Sequence, residues 1–407
     1  MNNLDKNKKK EFPFFKENKK LIYFDSALTS LKPKLVIDEI TNFYTKLNYS
    51  NFRSVNVLSE KINIKFEEAI EKIANFLNVQ KEELIFTAGA TDGLNDLARV
   101  LIKRLKRNDE IILGDFEHAS NFLPWIEYGK EKKIKFKYYK INEKFEIDVS
   151  DLEKKINEKT KIISIAHVFN TLGTTNNIKE IRKAINKKNK DCILVVDGAQ
   201  AVGHIETNLK TLDPDCYLFS GHKMFASNGV GICYIKNNLL NKIEPFKYGG
   251  GNNIDFQKDK IIYKNVPKNF YSGTLNYPGI FSLSKAIDFI EKIGIKNIEN
   301  YCNELKNYAE EKLKNFEEIK IINKNVKSSI LFLEMKNIPA EDISYLLGRK
   351  NILFRSGTNC VKIKNEYFNQ NKTIRLSFHI YNEKKEIDKF VNELENALKT
   401  FRKLINK

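Results

Sequence analysis

The segment CILVVDGAQ, residues 192–200, decides the fold, because an unbroken apolar run ends in an acid and a glycine. Strands buried on both faces of a parallel sheet are apolar throughout, whereas half-buried strands alternate. Similar short runs recur along the chain and are predicted as strands at residues 83–87, 110–114, 161–166, 192–197 and 216–220. Amphipathic stretches such as 91–105 and 178–186 lie between them. This alternation predicts an α/β fold with a mainly parallel sheet and helices on both faces.

The pattern changes after about residue 279. Helices are expected at 281–293 and 298–316, strands at 319–322 and 330–334, and a helix at 340–347. Strands at 352–355 and 373–378 and a helix from Glu383 follow. We therefore predict a polar N-terminal arm (1–20), a large domain (21–278) and a smaller α+β C-terminal domain (279–407). The polar, glycine-led stretch 249–269 is predicted to be a long functional loop or hairpin.

Composition excludes several classes of protein. The 407 residues are 42% hydrophobic and 11% aromatic, which is typical of a globular chain and not of a disordered one. No apolar run is long enough to span a bilayer, and residues 1–20 lack the features of a secretory or transit peptide. The net charge is +18, but lysines alternate with acids throughout the chain and form no compact basic stripe. We expect a cytoplasmic protein with no nucleic-acid or membrane partner, although weak association with acidic partners stays open.

The five cysteines indicate a reducing compartment. Their number is odd, and no CxxC or Cys/His spacing predicts a structural zinc or another metal site. Four of them lie in strand-like or helical patterns, where a free cysteine is usually a small buried hydrophobe: Cys192, Cys216, Cys233 and Cys302. Cys360 follows a polar turn that contains glycine. It is therefore the candidate for a reactive thiol.

Polar residues follow several predicted strands, where open α/β sheets bind ligands. The turn at 87–92 can hold a phosphate at a helix N-terminus, or it can simply be capped by Thr91. Asp197, with Gln200 beside it, can face a protonated ring nitrogen or merely cap a turn. Ser220-Gly221-His222-Lys223 supplies an amine with hydroxyl and imidazole donors. Together these groups are what pyridoxal phosphate requires: a lysine, phosphate donors and an acid for the pyridine nitrogen.

His118 has two interpretations. It can be an ordinary surface histidine, or its ring can stack on an aromatic cofactor and assist proton transfer. The other histidines show no spacing that predicts a metal site.

Further motifs occur in a fixed order at residues 23–27, 118–125, 167–174, 271–274, 355–360 (RSGTNC) and 375–378. With the strand-end motifs they resemble the SufS-type, or group II, cysteine desulfurases, within the class V aminotransferase-like pyridoxal-phosphate enzymes. The resemblance runs from about Leu21 to the final helix. It implies fold type I with a seven-stranded sheet, pyridoxal phosphate as cofactor, L-cysteine as substrate, a homodimer and a sulfur-acceptor protein such as an iron–sulfur scaffold or sulfur carrier.

The resemblance also implies roles for individual residues. Lys223 would hold the cofactor and move the substrate's α-proton, and Asp197 would pair with the pyridine nitrogen. Arg375 would clamp the substrate carboxylate, with Arg355 near the substrate and near the nucleophile Cys360. The ring and substrate contacts would come from Gln200, Asn170 and His118. The phosphate contacts would come from Ala90 (through its amide), Thr91, Ser220, His222 and, from a second subunit, Thr274.

The chain departs from the family pattern at several positions. The departures are Phe52, Asn56, Ala90, Ala119 and the pair Thr358-Asn359. They leave open how the Cys360 thiolate is activated and which acceptor docks. Cys360 could also be a spare thiol on a loop. Rival functions are a selenocysteine lyase, a sulfinate lyase or an aminotransferase on the same scaffold, or a basic binding protein that has kept the fold without the activity.

Overall fold

The computed structural model describes residues 8–49, 56–257, 260–361 and 367–405. In these ranges the strands are β1 Ile22–Tyr23, β2 Leu84–Thr87, β3 Glu110–Gly114, β4 Lys135–Tyr139, β5 Thr160–Ala166, β6 Ile193–Asp197, β7 Cys216–Ser220, β8 Gly231–Ile235, β9 Asn253–Gln257, β10 Lys260–Tyr263, β11 Ile319–Ile321, β12 Ile330–Met335, β13 Ile352–Leu353, β14 Arg355–Ser356 and β15 Thr373–Ser377. The α-helices are α1 Phe14–Glu17, α2 Lys34–Asn42, α3 Val57–Leu77, α4 Ala90–Lys103, α5 Ala119–Lys132, α6 Val149–Lys155, α7 Ile178–Lys188, α8 Leu209–Leu212, α9 Asn237–Leu240, α10 Tyr277–Ile293, α11 Ile295–Leu313, α12 Ala340–Gly348 and α13 Lys384–Ile405.

A seven-stranded sheet in the order β2-β8-β7-β6-β5-β3-β4 forms the centre of the molecule. All neighbouring strands are parallel except β8, which is antiparallel to both β2 and β7. The predicted α/β fold with a mainly parallel sheet is confirmed, and the five predicted strands agree with the observed ones to within one residue. The parallel strands β5, β6 and β7 end side by side, so the residues that follow them meet at one edge.

Alternate residues of the central strands belong to different hydrophobic clusters, as the period of two in a strand requires. Ile163 and Ile165 of β5 pack in the cluster that includes helices α3 and α10, whereas Ile162 packs in the cluster that includes α4 and α5. The sheet is therefore covered by helices on both faces. This double burial explains why its strands are apolar throughout.

A separate hydrophobic cluster surrounds the antiparallel sheet β11-β12-β15-β14 together with α12 and α13. This cluster includes Ile22 and Phe24, because β1 pairs in parallel with β13. Most of α10, by contrast, packs in the hydrophobic cluster of the large sheet. The proposed domain boundary at 278/279 stays a prediction. The single strand predicted at 352–355 is wrong: β13 pairs with β1, whereas β14 pairs with β15 in the other sheet.

Two peripheral segments are ordered by packing or pairing. In the described part of the N-terminal arm, Phe12 is fully buried, with its ring centroid 4.9 Å from Tyr381 and 5.8 Å from Phe289. The stretch at 249–269 contains an antiparallel hairpin formed by β9 and β10, one of the two structures predicted for it. None of the helices in the described ranges combines the length and the apolar character that crossing a bilayer requires.

Candidate active site

A cavity of about 210 Å³ lies beyond the carboxyl ends of β5, β6 and β7. Every predicted site residue except Thr274 lines it: Ala90, Thr91, His118, Asn170, Asp197, Gln200, Ser220, His222, Lys223, Arg355, Cys360 and Arg375. Thr274 is exposed and lies outside this cavity, so its predicted role at a second subunit stays a prediction. The cavity also has lining residues that the sequence reasoning did not assign, among them Ala27, Leu28, Ser120 and Asn359.

A larger cavity of about 710 Å³ adjoins this one, and the two share Val168 and Gln200. It lies beside α11 and contains neither the strand-end lysine and aspartate nor the arginines and the exposed cysteine. Volume alone does not identify a reaction site, whereas converging titratable groups do. We therefore assign the smaller cavity as the candidate active site.

Lys223 and Asp197 are brought together by neighbouring strands. Asp197 ends β6, and Lys223 lies in a short 3₁₀ turn, Gly221–Lys223, that follows β7 directly. Burial lowers the pKa of Lys223 to about 8, partly opposed by the Asp197 charge. Burial raises the pKa of Asp197, while the Ala199 amide, which donates to its Oδ1 at 3.0 Å, acts in the opposite direction. Within the described residues, no hydrogen bond engages Lys223 Nζ, so the amine is available to react.

Hydrogen-bond donors, both backbone amides and hydroxyls, lie close together at the N-terminus of α4 and the end of β7. The Ala90 amide donates to Ser220 Oγ at 2.8 Å, and the hydroxyls of Thr91 and Ser120 lie 2.7 Å apart. Gly89 has φ 156°, and a Cβ at this position would lie 3.2 Å from Ser220 Oγ. Only glycine suits this approach of the loop to the strand end. Backbone amides and hydroxyls at the start of a helix are suited to a phosphate.

His118 caps α5 and is fixed in orientation by its own helix. Its Nδ1 accepts a hydrogen bond of 3.1 Å from the Ser120 amide, so the neutral ring carries its proton on Nε2. Burial lowers its pKa to about 4, and the nearby Lys223 and Arg375 charges act in the same direction. His118 is therefore neutral at physiological pH. A neutral ring is suited to stacking and to donating a hydrogen bond from Nε2.

The adjacent Glu117 is fully buried and anchors the loop that carries His118. Its carboxyl accepts from the Ala166 amide at 2.8 Å and from Asn121 Nδ2 at 2.5 Å, and Tyr139 donates to it as well. Burial raises the pKa of Glu117 to about 8. No role was predicted for Glu117 from the sequence, because Tyr139 and Ala166 lie on strands remote from it in sequence.

Arg375 is held by two hydrogen-bond partners. Its Nη2 donates to Asp25 Oδ1 at 2.9 Å, and its Nη1 donates to the backbone oxygen of Asn170 at 3.0 Å. The side chain is almost fully buried, and its Nε has no hydrogen-bond partner among the described residues. A rigid, only partly satisfied guanidinium lining a cavity is suited to a carboxylate. Asp25 lies in one of the motifs quoted from the sequence, but its ion pair with Arg375 was not predicted.

Cys360 is the exposed cysteine, and the other four are buried, as predicted. Two contacts dock its loop on the large sheet: the Ala119 amide donates to the Cys360 oxygen at 2.7 Å, and Asn170 Nδ2 donates to the Asn359 oxygen at 2.8 Å. Cys360 itself has φ 55°, a left-handed conformation that is uncommon outside glycine and asparagine. Backbone strain of this kind persists where the surroundings impose it and is frequent at functional sites.

The family departures that lie in described residues have defined surroundings. Asn359 is buried, with its Nδ2 donating to the Gly357 oxygen at 3.0 Å, and Thr358 accepts a long 3.4 Å contact from Arg355 through its oxygen. Asn56 caps α3, accepting from the Ser59 amide at 3.0 Å. Phe52 lies outside the described residues.

The chemistry of this donor set fits pyridoxal phosphate and an amino acid. Among the described residues that line this cavity, three buried polar atoms have no hydrogen-bond partner: Asn170 Oδ1, Asn359 Oδ1 and Arg375 Nε. Buried polar groups are normally satisfied, and a ligand in the cavity can provide partners for these three atoms. The phosphate donors, the lysine amine and the carboxylate lie in the same cavity as these atoms.

Comparison with known proteins agrees with this chemistry. A family model described as aminotransferase class-V matches residues 22–390. A probable cysteine desulfurase of Borreliella burgdorferi is 39% identical over 405 residues, covering 96% of both chains. A cysteine desulfurase of Wigglesworthia glossinidia brevipalpis is 33% identical, covering 97% of both chains.

Solved structures give the same result. The apo structure of a cysteine desulfurase from Thermococcus onnurineus NA1 has a TM-score of 0.91 at 32% identity, covering 96% of this chain and 97% of that chain. The cysteine desulfurase CsdA from Escherichia coli, with an S-sulfonic acid, has a TM-score of 0.88 at 28% identity over the same shares. The chain therefore belongs to the class-V aminotransferase family, within which its relatives are cysteine desulfurases.

Proposed function

We propose that this protein is a pyridoxal-phosphate-dependent cysteine desulfurase of the SufS type, which converts L-cysteine to L-alanine and retains the sulfur as a persulfide on Cys360. One observation carries the proposal: a lysine with a lowered pKa and an exposed cysteine line the same small cavity, together with a buried arginine. A transaminase requires the lysine and the arginine but has no need of the thiol.

The chain's own residues would hold the cofactor at both ends. Lys223 would bind it covalently, and Asp197 would face the ring nitrogen and keep it protonated. The Ala90 amide, Thr91, Ser220 and His222 would hold the phosphate, while Gln200, Asn170 and His118 would contact the ring or the substrate. When bound, pyridoxal phosphate supplies an electron sink that weakens the bonds at the substrate's α-carbon.

The remaining steps belong to the side chains. Arg375 binds the substrate carboxylate, assisted by Arg355. Lys223 would serve as the base that removes the substrate's α-proton. The Cys360 thiolate then attacks the substrate sulfur, so that the S–S bond forms as the C–S bond breaks. Protonation of the carbon gives alanine, and the net reaction is cysteine plus the Cys360 thiol to alanine plus the Cys360 persulfide.

Wider features follow from the same proposal. We place Thr274 at the phosphate of a neighbouring subunit in a homodimer, and we assign the β9–β10 hairpin as an element for dimerisation or acceptor docking. The sulfur passes to an acceptor protein, either an iron–sulfur scaffold or a sulfur carrier. Four of five cysteines are buried as free thiols, which suits the reducing cytoplasm.

The function is tested by product analysis. The purified protein is loaded with pyridoxal phosphate, and alanine and sulfide are quantified from L-cysteine in the presence of a reducing thiol. We expect equal amounts of alanine and sulfide. Turnover of selenocysteine without turnover of cysteine would assign a selenocysteine lyase, and amino transfer to a keto acid would assign an aminotransferase. Addition of candidate acceptor proteins then identifies the one that accelerates cysteine turnover.

The Arg375→Lys variant tests the carboxylate clamp. Lysine keeps the charge but loses the planar fork, so the hydrogen bonds to Asp25 and Asn170 and to the substrate cannot all persist. We expect the KM for L-cysteine to rise by about 10- to 100-fold with little change in the absorbance of the bound cofactor. Arg402→Lys, at a surface ion pair with Glu318, is the matched control and should leave KM unchanged. A fall in kcat at constant KM would contradict the assignment.

A further inference from the structure

The carbonyl oxygen of His222, in the peptide bond that leads into Lys223, is surrounded by donors from one short segment. Thr29 Oγ1 and the Ser30 amide lie at 3.1 Å, Ser30 Oγ lies at 3.0 Å, and Lys32 Nζ lies at 2.9 Å. A carbonyl oxygen has two lone pairs, so four converging donors form an unusually dense contact. Residues 29–32, here called the clamp, therefore fix the position of the peptide that carries Lys223.

The clamp continues on both sides of this carbonyl. Ser30 Oγ also accepts from the Phe225 amide at 2.7 Å, and Thr29 Oγ1 lies 3.2 Å from His222 Nδ1. The clamp therefore contacts the chain on both sides of Lys223, at His222 and at Phe225. Because Nδ1 of His222 is engaged by the clamp, Nε2 is the ring nitrogen left for the cavity.

The ammonium group of Lys32 is partly buried and has neutral oxygens as its partners. The ammonium contacts Thr29 Oγ1 at 3.2 Å, the Ser30 oxygen and the His222 oxygen. No carboxylate in the described ranges forms an ion pair with it, and burial alone lowers its pKa to about 8. A buried charge without an opposite charge is costly. An anion near the clamp would offset that cost.

The proposed cofactor site provides such an anion. Ser220, His222 and Lys223 line the cavity, and the clamp lies directly behind this turn. The Lys32 charge extends to the turn, since it contributes to the lowered pKa of His222. A phosphate held by the Ser220 and His222 side chains would therefore be attracted by the Lys32 charge, because the Lys32 ammonium contacts the backbone oxygen of His222.

We propose that Lys32 is a positioning residue for Lys223, and that its charge favours the phosphate of the cofactor. This inference rests on the proposed pyridoxal-phosphate function. It assigns Lys32 two separable tasks: a hydrogen bond that fixes the turn, and a positive charge behind the phosphate end of the cavity.

The test uses three variants of the cofactor-loaded protein: Lys32→Met, Lys32→Gln and Lys32→Arg. Two quantities are measured, the dissociation constant of pyridoxal phosphate by equilibrium dialysis and the pH midpoint of the absorbance change of the Lys223-bound cofactor. We expect Lys32→Met to weaken cofactor binding by about 10-fold or more and to raise the midpoint by about half a pH unit or more, because a nearby positive charge disfavours the protonated linkage. Lys32→Arg should restore both values towards those of the wild type.

Lys32→Gln separates the two tasks. Glutamine keeps a hydrogen-bond donor for the His222 carbonyl but lacks the positive charge. We therefore expect this variant to keep the fold and to show a raised pH midpoint of the absorbance change. This variant also keeps the proposal testable if Lys32→Met does not fold. None of the three variants changes the other side chains that act electrostatically on Lys223: Asp197, Arg375, Cys360 and Asp25. The three histidines close to the turn stay neutral over the titration, because burial lowers the pKa of each to about 4: His118, His204 and His222.

Lys34→Met is the matched control. Lys34 lies two residues away, is exposed and pairs with Asp38 at 2.8 Å, so both measurements should match the wild type. If Lys32→Met or Lys32→Gln kept the wild-type dissociation constant and pH midpoint, the inference would be overturned. Failure of the wild-type protein to take up pyridoxal phosphate is a different result and refutes the proposed function instead.

Discussion

The Cys360→Ser variant is expected to lose sulfide production from L-cysteine by about a thousandfold or more while keeping its bound cofactor. Serine preserves the size of the side chain, but its hydroxyl is un-ionised at neutral pH and does not accept sulfur from the substrate. The loop that carries Cys360 is docked through two backbone oxygens, those of Cys360 and Asn359. Neither hydrogen bond involves the thiol, so both should survive the substitution. The lost activity therefore reports the thiol and not the loop.

Proton exchange gives this prediction a second readout. Lys223 and the bound cofactor do not require Cys360 to remove the α-proton, so the variant should still exchange the α-hydrogen of L-alanine with deuterated water. The wild-type protein, treated with L-cysteine and analysed as intact protein, should gain the mass of one sulfur atom, and the variant should not. Cys302→Ser, at a buried thiol outside the cavity, is the control that should keep the mass gain. Undiminished sulfide from Cys360→Ser would refute the assigned nucleophile.

The core of this site could be predicted from the sequence because its parts are local. Asp197 and Lys223 each follow an apolar strand, and parallel strands present their carboxyl ends at one edge of the sheet. The exposure of Cys360 could be predicted for the same reason, since a glycine turn precedes it. Neighbouring residues and the order of the parallel strands are sufficient for both predictions.

The residues that hold the site together were not predictable in this way. Asp25 meets Arg375 from 350 positions away, and the clamp of residues 29–32 meets the His222 carbonyl from 190 or more. Neither contact leaves a periodic or spaced pattern in the sequence. The error at 352–355 has the same origin. Four consecutive residues that are mostly apolar predict one strand, but Ile352 and Leu353 pair with β1, whereas Arg355 pairs with β15. Long-range pairing, not local propensity, divides that segment.

The Lys223→Ala variant is expected to lose the visible absorbance of the covalently bound cofactor and to lower kcat by about a thousandfold or more. The substitution removes both the amine that binds the cofactor and the group that moves the α-proton, and a positioned acid–base group typically contributes 10²- to 10⁴-fold. The cofactor should also be lost on gel filtration. Added methylamine should restore a small part of the activity, because a free amine can replace the missing base. Lys242→Ala, at an exposed lysine, should behave as the wild type.

The lowered pKa of Lys223 also predicts how the rate of cofactor capture depends on pH. An amine with a pKa of about 8 is neutral in about a tenth of the molecules at pH 7, whereas an ordinary lysine is neutral in fewer than about one in a thousand. Only the neutral amine attacks an aldehyde. The rate at which cofactor-free protein captures pyridoxal phosphate should therefore rise tenfold per pH unit below about pH 8 and level off above it. A rate that kept rising to pH 10 would show that Lys223 is not buried beside Arg375 in the way this cavity requires.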